Sequence, residues 1–433
     1  MGKRTGHIHL SVSIQGAGYH PGSWRHPASG AGRLHTPDTL YSLAQTAEQG
    51  LFDLLIADHT FVGERLRASG QEPGLLLEPL TLLGGLASVT RRIGLGAAVS
   101  TTALEPFALA RQLAALDHLS GGRTAWLPST GDHGEPRRSH ADNPDWTPEQ
   151  RAERQQEFTD VAARLWESWE EGAVIADRER GLYIDSDKVH VIGHIGKYFK
   201  VRGPLSIPRP PQGHPVRFGL SAGADPEAEL ILSSPYSLGE AASQYAALKR
   251  NAARQGRFPN ERKVLTSLSP ILAGTVEEAL HKAAELRELT DPYAGIALLS
   301  DRLGVDLTKY PQGGPPPPVP ALTEAAQAAG LEGLSLRELS SRTLELTGTQ
   351  VFIGTPEQLA DWMEAWYSAY GSDGFHLLPA LLPDGLDAVA REVVPLLQQR
   401  GLFRTAYTGT TLRDHLGLPD PSGGRRSTGG VQA

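Results

Sequence analysis

A chain of 433 residues with 39% hydrophobic and 21% charged side chains carries enough apolar material for one large α/β barrel or two ordinary domains. Its 41 basic and 49 acidic residues leave a formal charge of −8, which argues against a broad nucleic-acid footprint. Cysteine is absent, so disulfides, thiolate nucleophiles and Cys-ligated metals are excluded and a reducing compartment is permitted.

From the N-terminus, residues 7–14 alternate as a half-buried strand. The basic start leads into no continuous apolar stretch, so no signal peptide is predicted, and no run approaches the ~18 apolar residues of a membrane span. These features predict a cytoplasmic protein without membrane contact. "TPDTLYSLAQTAEQG" follows, with Thr36 as N-cap, Pro37 at the first helical position and Gly50 past the end. "LFDLLIAD" has strand length and "EPLTLLGGLASVT" helical spacing. "RIGLGAAVST" is the next strand, ending in the hydroxyls of Ser100, Thr101 and Thr102. "EPFALARQLAALDHLSGG" is a helix with a Gly stop, and "RTAWLPS" is a strand again. Further on, 147–169 reads as helix, "HPVRFGLSAG" as strand, 239–256 as helix and "KVLTSLSPILAG" as strand. "TVEEALHKAAELRELT" and "TPEQLADWMEAWYSAYGSDG" read as helices around the last insertion, before strand "FHLLPALLP" and a closing helix.

Such alternation predicts a parallel sheet with crossover helices. Seven or eight units suit a (β/α)8 TIM barrel with inserted segments better than an open doubly wound sheet, because no G-x-G-x-x-G follows the first strand. The expected organisation is one barrel domain over 1–418, with insertions near 61–75, 173–215 and 291–348. Residues 419–433 have the composition of a disordered tail. The third insertion holds "YPQGGPPPPVP", a polyproline loop.

In a parallel barrel the ligand site lies at the carboxyl ends of the strands. Those ends fall at 15–20, 58–59, 100–102, 128–132, 221–225, 269–270 and 376–379. They are rich in hydroxyls and backbone donors and hold no acidic cluster for a metal. "GYHPGSWRHP" brings His20, Trp24, Arg25 and His26 into one loop, combining acid/base, aromatic and cationic groups. No carboxylate or third histidine stands with His20 and His26, so no metal site is expected there. His190 and His194 lie four apart in β-like surroundings and read as solvated or packed side chains. Asp58 reads as a strand-end cap or a ligand contact. Asp117 and Arg123 read as a structural ion pair or a helix-end contact, and Trp166 and Trp169 as core residues sharing a helix face.

"SWRHP", "GLFDLLIAD", "IGLGAAVSTT", "EPFALARQLAALDHLSGGR", "FKVRGPLSIPRPPQG", "GTPEQLADWMEAW" and "GLFRTAYTGTTLRDHLGLP" together resemble the bacterial-luciferase-like flavin monooxygenases over nearly the whole chain. The branch is the one that includes nitrilotriacetate monooxygenase component A, the pristinamycin IIA synthase large subunit and the dibenzothiophene-sulfone monooxygenase. The resemblance implies a luciferase-like (β/α)8 barrel using reduced FMN from a separate NAD(P)H:flavin reductase. With O2 as co-substrate, a peroxyflavin would oxygenate a small organic substrate. It also implies a homo-oligomer, a dimer or tetramer. Asp58, Ser100, Thr101 and Thr102 match the family's flavin-contacting positions. His20, Trp24, Arg25 and His26 match the family's N-terminal loop, with His20 or His26 the candidate proton donor or substrate contact and Trp24 expected to pack on the substrate or ring.

Other positions depart from the family pattern. Leu127 and Pro128 stand where Asn and Val are usual, and Gly131 replaces Ser. Pro148 and Ala152 replace a His and a Tyr that help hold the FMN phosphate in relatives. In "LSAGAD", Ala222 and Gly223 occupy the phosphate-facing loop beside Asp225, whose charge would repel a phosphate. Thr130, His133, Arg137 and Arg138 are the replacements placed to hold FMN, since arginine binds phosphate bidentately. The alternative expectations are a barrel with altered or lost flavin use, deazaflavin-dependent or flavin-independent, and a non-catalytic partner subunit.

Overall fold

The computed structural model describes residues 4, 6–34, 36–57, 77–130, 146–221 and 225–421. Nine parallel strands form its main sheet. They are β1 (His9–Ile14), β2 (Leu54–Ala57), β3 (Gly94–Ser100), β4 (Thr124–Ser129), β5 (Val216–Leu220), β6 (Leu230–Ser233), β7 (Lys263–Leu272), β8 (Gln350–Gly354) and β9 (Gly374–Leu377). Eight of them close a ring in the order β1, β2, β3, β4, β5, β6, β7, β9 and back to β1. The expected (β/α)8 barrel is therefore present.

β8 lies outside the ring. The ten-residue β7 pairs with β6 and β9 through its first half, from Lys263 to Leu268, and with β8 through its second, from Leu268 to Leu272. Two strands thus join the seven legible in the sequence. β6 was hidden because no helix separates it from β5, and its four buried residues are too few to show a period.

Four of the crossover helices start where proline pre-sets the backbone. α1 (Pro37–Gln49), α2 (Pro79–Val89), α3 (Pro106–Ser120) and α4 (Pro148–Trp166) all carry proline in the first turn. Glu78 caps α2 by accepting from the N–H groups of Leu80 and Thr81 at 3.1 and 2.7 Å. Thr147 and Gln150 form a capping box on α4. That helix ends at Trp166, so Trp169 lies beyond it rather than on its face, although both rings are buried.

Strand alternation divides the core. On β2, Leu54 and Ile56 pack inside the ring with Phe218, Leu230 and Leu265, while Leu55 and Ala57 pack outward with the helices. The amino end of the barrel strands is tied by two buried carboxylates. Asp53 accepts from the Leu10 N–H at 2.8 Å and from His9 Nδ1 at 3.1 Å, and pairs with Arg404. Asp373 accepts from the Val264 N–H at 2.9 Å and from Lys249 at 2.7 Å. Each carboxylate precedes one barrel strand and bonds the start of its neighbour.

Asp117 and Arg123 are structural but do not pair directly. Asp117 accepts from the Gln212 side chain at 2.7 Å and the Thr124 N–H at 3.1 Å, while Arg123 bonds the carbonyls of Ser120 and Ile93 at 2.6 Å each. Of the expected insertions, 61–75 lies outside the described residues. Within 173–215 there are two small antiparallel hairpins, Val174–Asp177 with Leu182–Ile184 and His194–Ile195 with Lys200–Val201. The third is more ordered than its proline content predicted. It holds helices Pro292–Leu303, Pro320–Ala328 and Leu336–Ser340, which share their own apolar cluster of Ile296, Leu299, Leu322, Leu336 and Leu339. No described helix is long and apolar enough to cross a membrane.

Candidate functional site

The carboxyl ends of the ring strands gather two groups of side chains. At β3 and β4, the Ser100 and Thr102 hydroxyls are 2.9 Å apart, and Thr102 Oγ1 donates to the Thr130 carbonyl at 3.4 Å. All three residues are half-buried, as a ligand-facing rim requires. Thr101 differs. It is fully buried, and its hydroxyl donates to the Ser129 carbonyl at 2.9 Å, so it clamps the ends of β3 and β4 together. Asp58, His133, Arg137, Arg138, Ala222 and Gly223 lie outside the described residues.

Pro148 and Ala152 are exposed on the first turns of α4, one turn apart. The same helix sends Gln155 to the Pro128 carbonyl at 3.2 Å and buried Arg154 to the Thr101 carbonyl, which anchors it to the ends of β3 and β4. Asp225 does not act as a bare charge. Arg217 of β5 grips both its carboxylate oxygens at 3.1 and 2.9 Å, so the repulsion expected from the sequence is neutralised within the protein.

The second group surrounds the loop after β1. Gly18 sits at φ +128°, and a Cβ there would lie 2.5 Å from the Ala380 carbonyl oxygen. A Cβ on Gly22 would lie 2.3 Å from the Leu286 carbonyl oxygen. Glycine at both points lets the loop press between the chain after β9 and the end of α5 (Val276–Glu288). The N–H groups of Tyr19 and His20 then bond the carbonyls of Pro379 and Ala380 at 2.9 and 3.2 Å.

His20 is thereby brought into a small cleft with Ser269 of β7, Arg287 of α5, Thr343 and Glu345. Its Nδ1 accepts from the Gly22 N–H at 3.1 Å, which leaves the proton of the neutral ring on Nε2. Burial, with Arg287 and Arg342 adding like charge, lowers its pKa to about 3.

The other loop residues have different roles. Arg25 is exposed and donates to the Leu289 carbonyl at 2.9 Å. His26 accepts from the Ala28 N–H at 3.2 Å and caps a short turn. Trp24 is half-buried in the preceding turn. Of the four, His20 alone is among the residues lining this cleft.

His376 lies within the ring rather than at its rim, with its ring nitrogens 2.8 Å from Ser11 Oγ and 3.1 Å from Ser13 Oγ. His190 and His194 bond Glu170 and Glu157 at 2.7 and 2.9 Å, each engaged with its own carboxylate. No group of metal-ligating side chains occurs among the described residues. Ser269 stands at one of the strand ends read as the mouth, whereas Arg287 and Thr343 were missed in the sequence. Those two come from a helix and an insertion, and no local pattern links them to the strand ends.

The luciferase-like monooxygenase family model matches residues 15–373. N-acetyl-S-(2-succino)cysteine monooxygenase of Bacillus subtilis (strain 168) is 39% identical, covering 96% of this chain and 97% of the relative. Nitrilotriacetate monooxygenase component A of Aminobacter aminovorans is 36% identical, covering 96% and 97%. The crystal structure of DmoA from Hyphomicrobium sulfonivorans superposes with a TM-score of 0.87 at 28% identity, covering 95% of this chain and 92% of the other.

Proposed function

Because the chain belongs to the luciferase-like monooxygenase family and is a flavin-dependent monooxygenase, we propose that it is the oxygenase component of a two-component system. A separate NAD(P)H:flavin reductase provides reduced FMN, and a small organic molecule is the substrate. The observation that carries this reading is the near-complete span of the 36% match to a protein named as a component A. The residues at the mouth fit the cofactor. Half-buried hydroxyls stand at the end of β3, and the acidic residue of the β5 loop is neutralised by Arg217.

Reduced FMN, when bound, supplies the electrons and the O2-activating chemistry. The protein holds and orients. Ser100, Thr102 and Thr130 offer hydroxyls to the flavin, and the family resemblance assigns Asp58 to the same cofactor. Thr101 and Arg154 fix the backbone from which those hydroxyls project. His20 keeps its proton on Nε2 as a neutral donor near the substrate space. Hydroxyls and backbone groups hold a cofactor without any metal, which fits the ligand types at the mouth. The homo-oligomer expected from the resemblance is supported by exposed apolar residues on the small hairpins, among them Tyr183 at 68% and Ile195 at 81% exposure.

The test is anaerobic titration with reduced FMN, oxidised FMN and a reduced deazaflavin. Micromolar binding selective for reduced FMN is expected. A folded protein that binds no flavin, or only the deazaflavin, would overturn the proposal.

A further inference from the structure

We propose that the cleft beside the β1 loop is a subsite for a carboxylate group of the substrate, bound by Arg287 with Ser269, Thr343 and His20 as neutral donors. This rests on the monooxygenase reading for the identity of the ligand as substrate. The residues come from four separate parts of the chain, yet they line one space.

Their hydrogen bonding is incomplete in one direction. Ser269 and Thr343 are fully buried, and neither hydroxyl has a partner. Buried hydroxyls are normally satisfied, so two orphans facing one cleft point to a missing ligand. His20 is 8% exposed, and its Nδ1 is already used, so Nε2–H is the group left to donate. Arg287 is half-buried and makes no side-chain hydrogen bond or ion pair with the described residues. The carboxylate of the cleft, Glu345, is engaged by Arg342 at 3.2 Å.

The cleft therefore gathers four groups able to donate, and its one carboxylate is already paired with Arg342. With His20 neutral, Arg287 and Arg342 against Glu345 leave one net positive charge. A planar acceptor with two oxygens and one negative charge completes this set, and a guanidinium matches it bidentately. A neutral ligand would leave the Arg287 charge unpaired in a half-buried place.

The experiment is calorimetric titration of the full-length protein with succinate and with its neutral isostere succinamide, each carried to tens of millimolar. Succinate is expected to bind saturably and succinamide not to bind. Arg287→Met should weaken succinate roughly 10- to 100-fold, Arg287→Lys should restore part of it, and the pair Ser269→Ala with Thr343→Val should weaken it severalfold. Thermal unfolding of each variant confirms the fold, and reduced-FMN affinity should be unchanged in Arg287→Met. Equal binding of the two probes, an unaffected Arg287→Met, or no succinate binding by wild type would overturn the proposal. So would loss of reduced-FMN binding in Arg287→Met, which would assign the arginine to the flavin phosphate. Succinate failure with intact reduced-FMN binding sinks this inference alone. Succinate binding without any flavin binding keeps the subsite and sinks the oxygenase reading.

Discussion

Protonation of His20 should be resisted by the fold, and the resistance should be measurable as stability. The native pKa is lowered from 6.5 to about 3 by burial and by Arg287 and Arg342. The unfolded chain therefore takes up a proton near pH 6.5, whereas the native state does so only near 3. Stability tied to this group is fully present above pH 6.5 and declines as pH falls towards 3. At about 1.36 kcal/mol per pH unit, the decline between pH 6.5 and 4.5 is about 2.5 kcal/mol. His20→Gln keeps a donor but cannot titrate, so it removes this dependence. Urea unfolding of both proteins from pH 7.5 to 4.5 gives the difference in stability at each pH, and the other fourteen histidines, of 15 in all, cancel. The gap between the two proteins should shift by about 2.5 kcal/mol in favour of the variant at the acid end. A gap that stays constant, or an imidazole resonance of His20 that titrates near its ordinary value, would refute the burial argument.

Two further outcomes test the frame that positions the site. Asp53→Asn leaves Arg404 buried without its counter-charge and should cost about 3–5 kcal/mol in denaturant unfolding at neutral pH. Burial pushes the Asp53 carboxyl up, but Arg404 and His9 outweigh it and hold the pKa at about 2, below the usual 3.8. Its stabilisation is thus present above pH 3.8 and lost as pH falls towards 2, and the variant should lack that acid limb. A variant as stable as wild type would show that the ion pair is dispensable. Gly18→Ala places a methyl against the Ala380 carbonyl at a backbone angle hostile to side chains, and should cost about 1–3 kcal/mol. It should also displace His20, seen as weaker succinate binding, whereas unchanged stability and binding would show that the loop is not held by this approach.

The ring was legible because parallel barrels repeat one strand and one helix, and α1 to α4 each open with a proline and meet a strand of buried residues. β6 was not legible, because a four-residue strand with no helix between it and β5 offers no period to detect. The helices between 291 and 348 were masked by polyproline, which governs only the stretch before Pro320. Trp169 shared the spacing of a helix that in fact stops three residues earlier, so burial was foreseeable and its cause was not. At the mouth, His20 was visible as a reactive residue type in a Gly-rich loop. Arg287 reads in sequence as one basic residue in the last turn of a helix, with nothing to distinguish it from a solvated one. Asp225 seemed repulsive because its neutraliser, Arg217, stands on the preceding strand, and pairing between them depends on where that strand ends.

The division of labour along β7 has an evolutionary consequence. Its first half is a stave of the ring, and its second half is a mooring post for β8 and the helices before it, which have an apolar cluster of their own. Changes to that cluster are felt mainly inside it, because distant sites couple weakly. Thr343 and Glu345 follow those helices, so one wall of the cleft can diversify while the β3 and β4 ends stay as they are. New substrate preferences can then arise by replacing a cassette, at little risk to the proposed cofactor platform on the far side of the barrel.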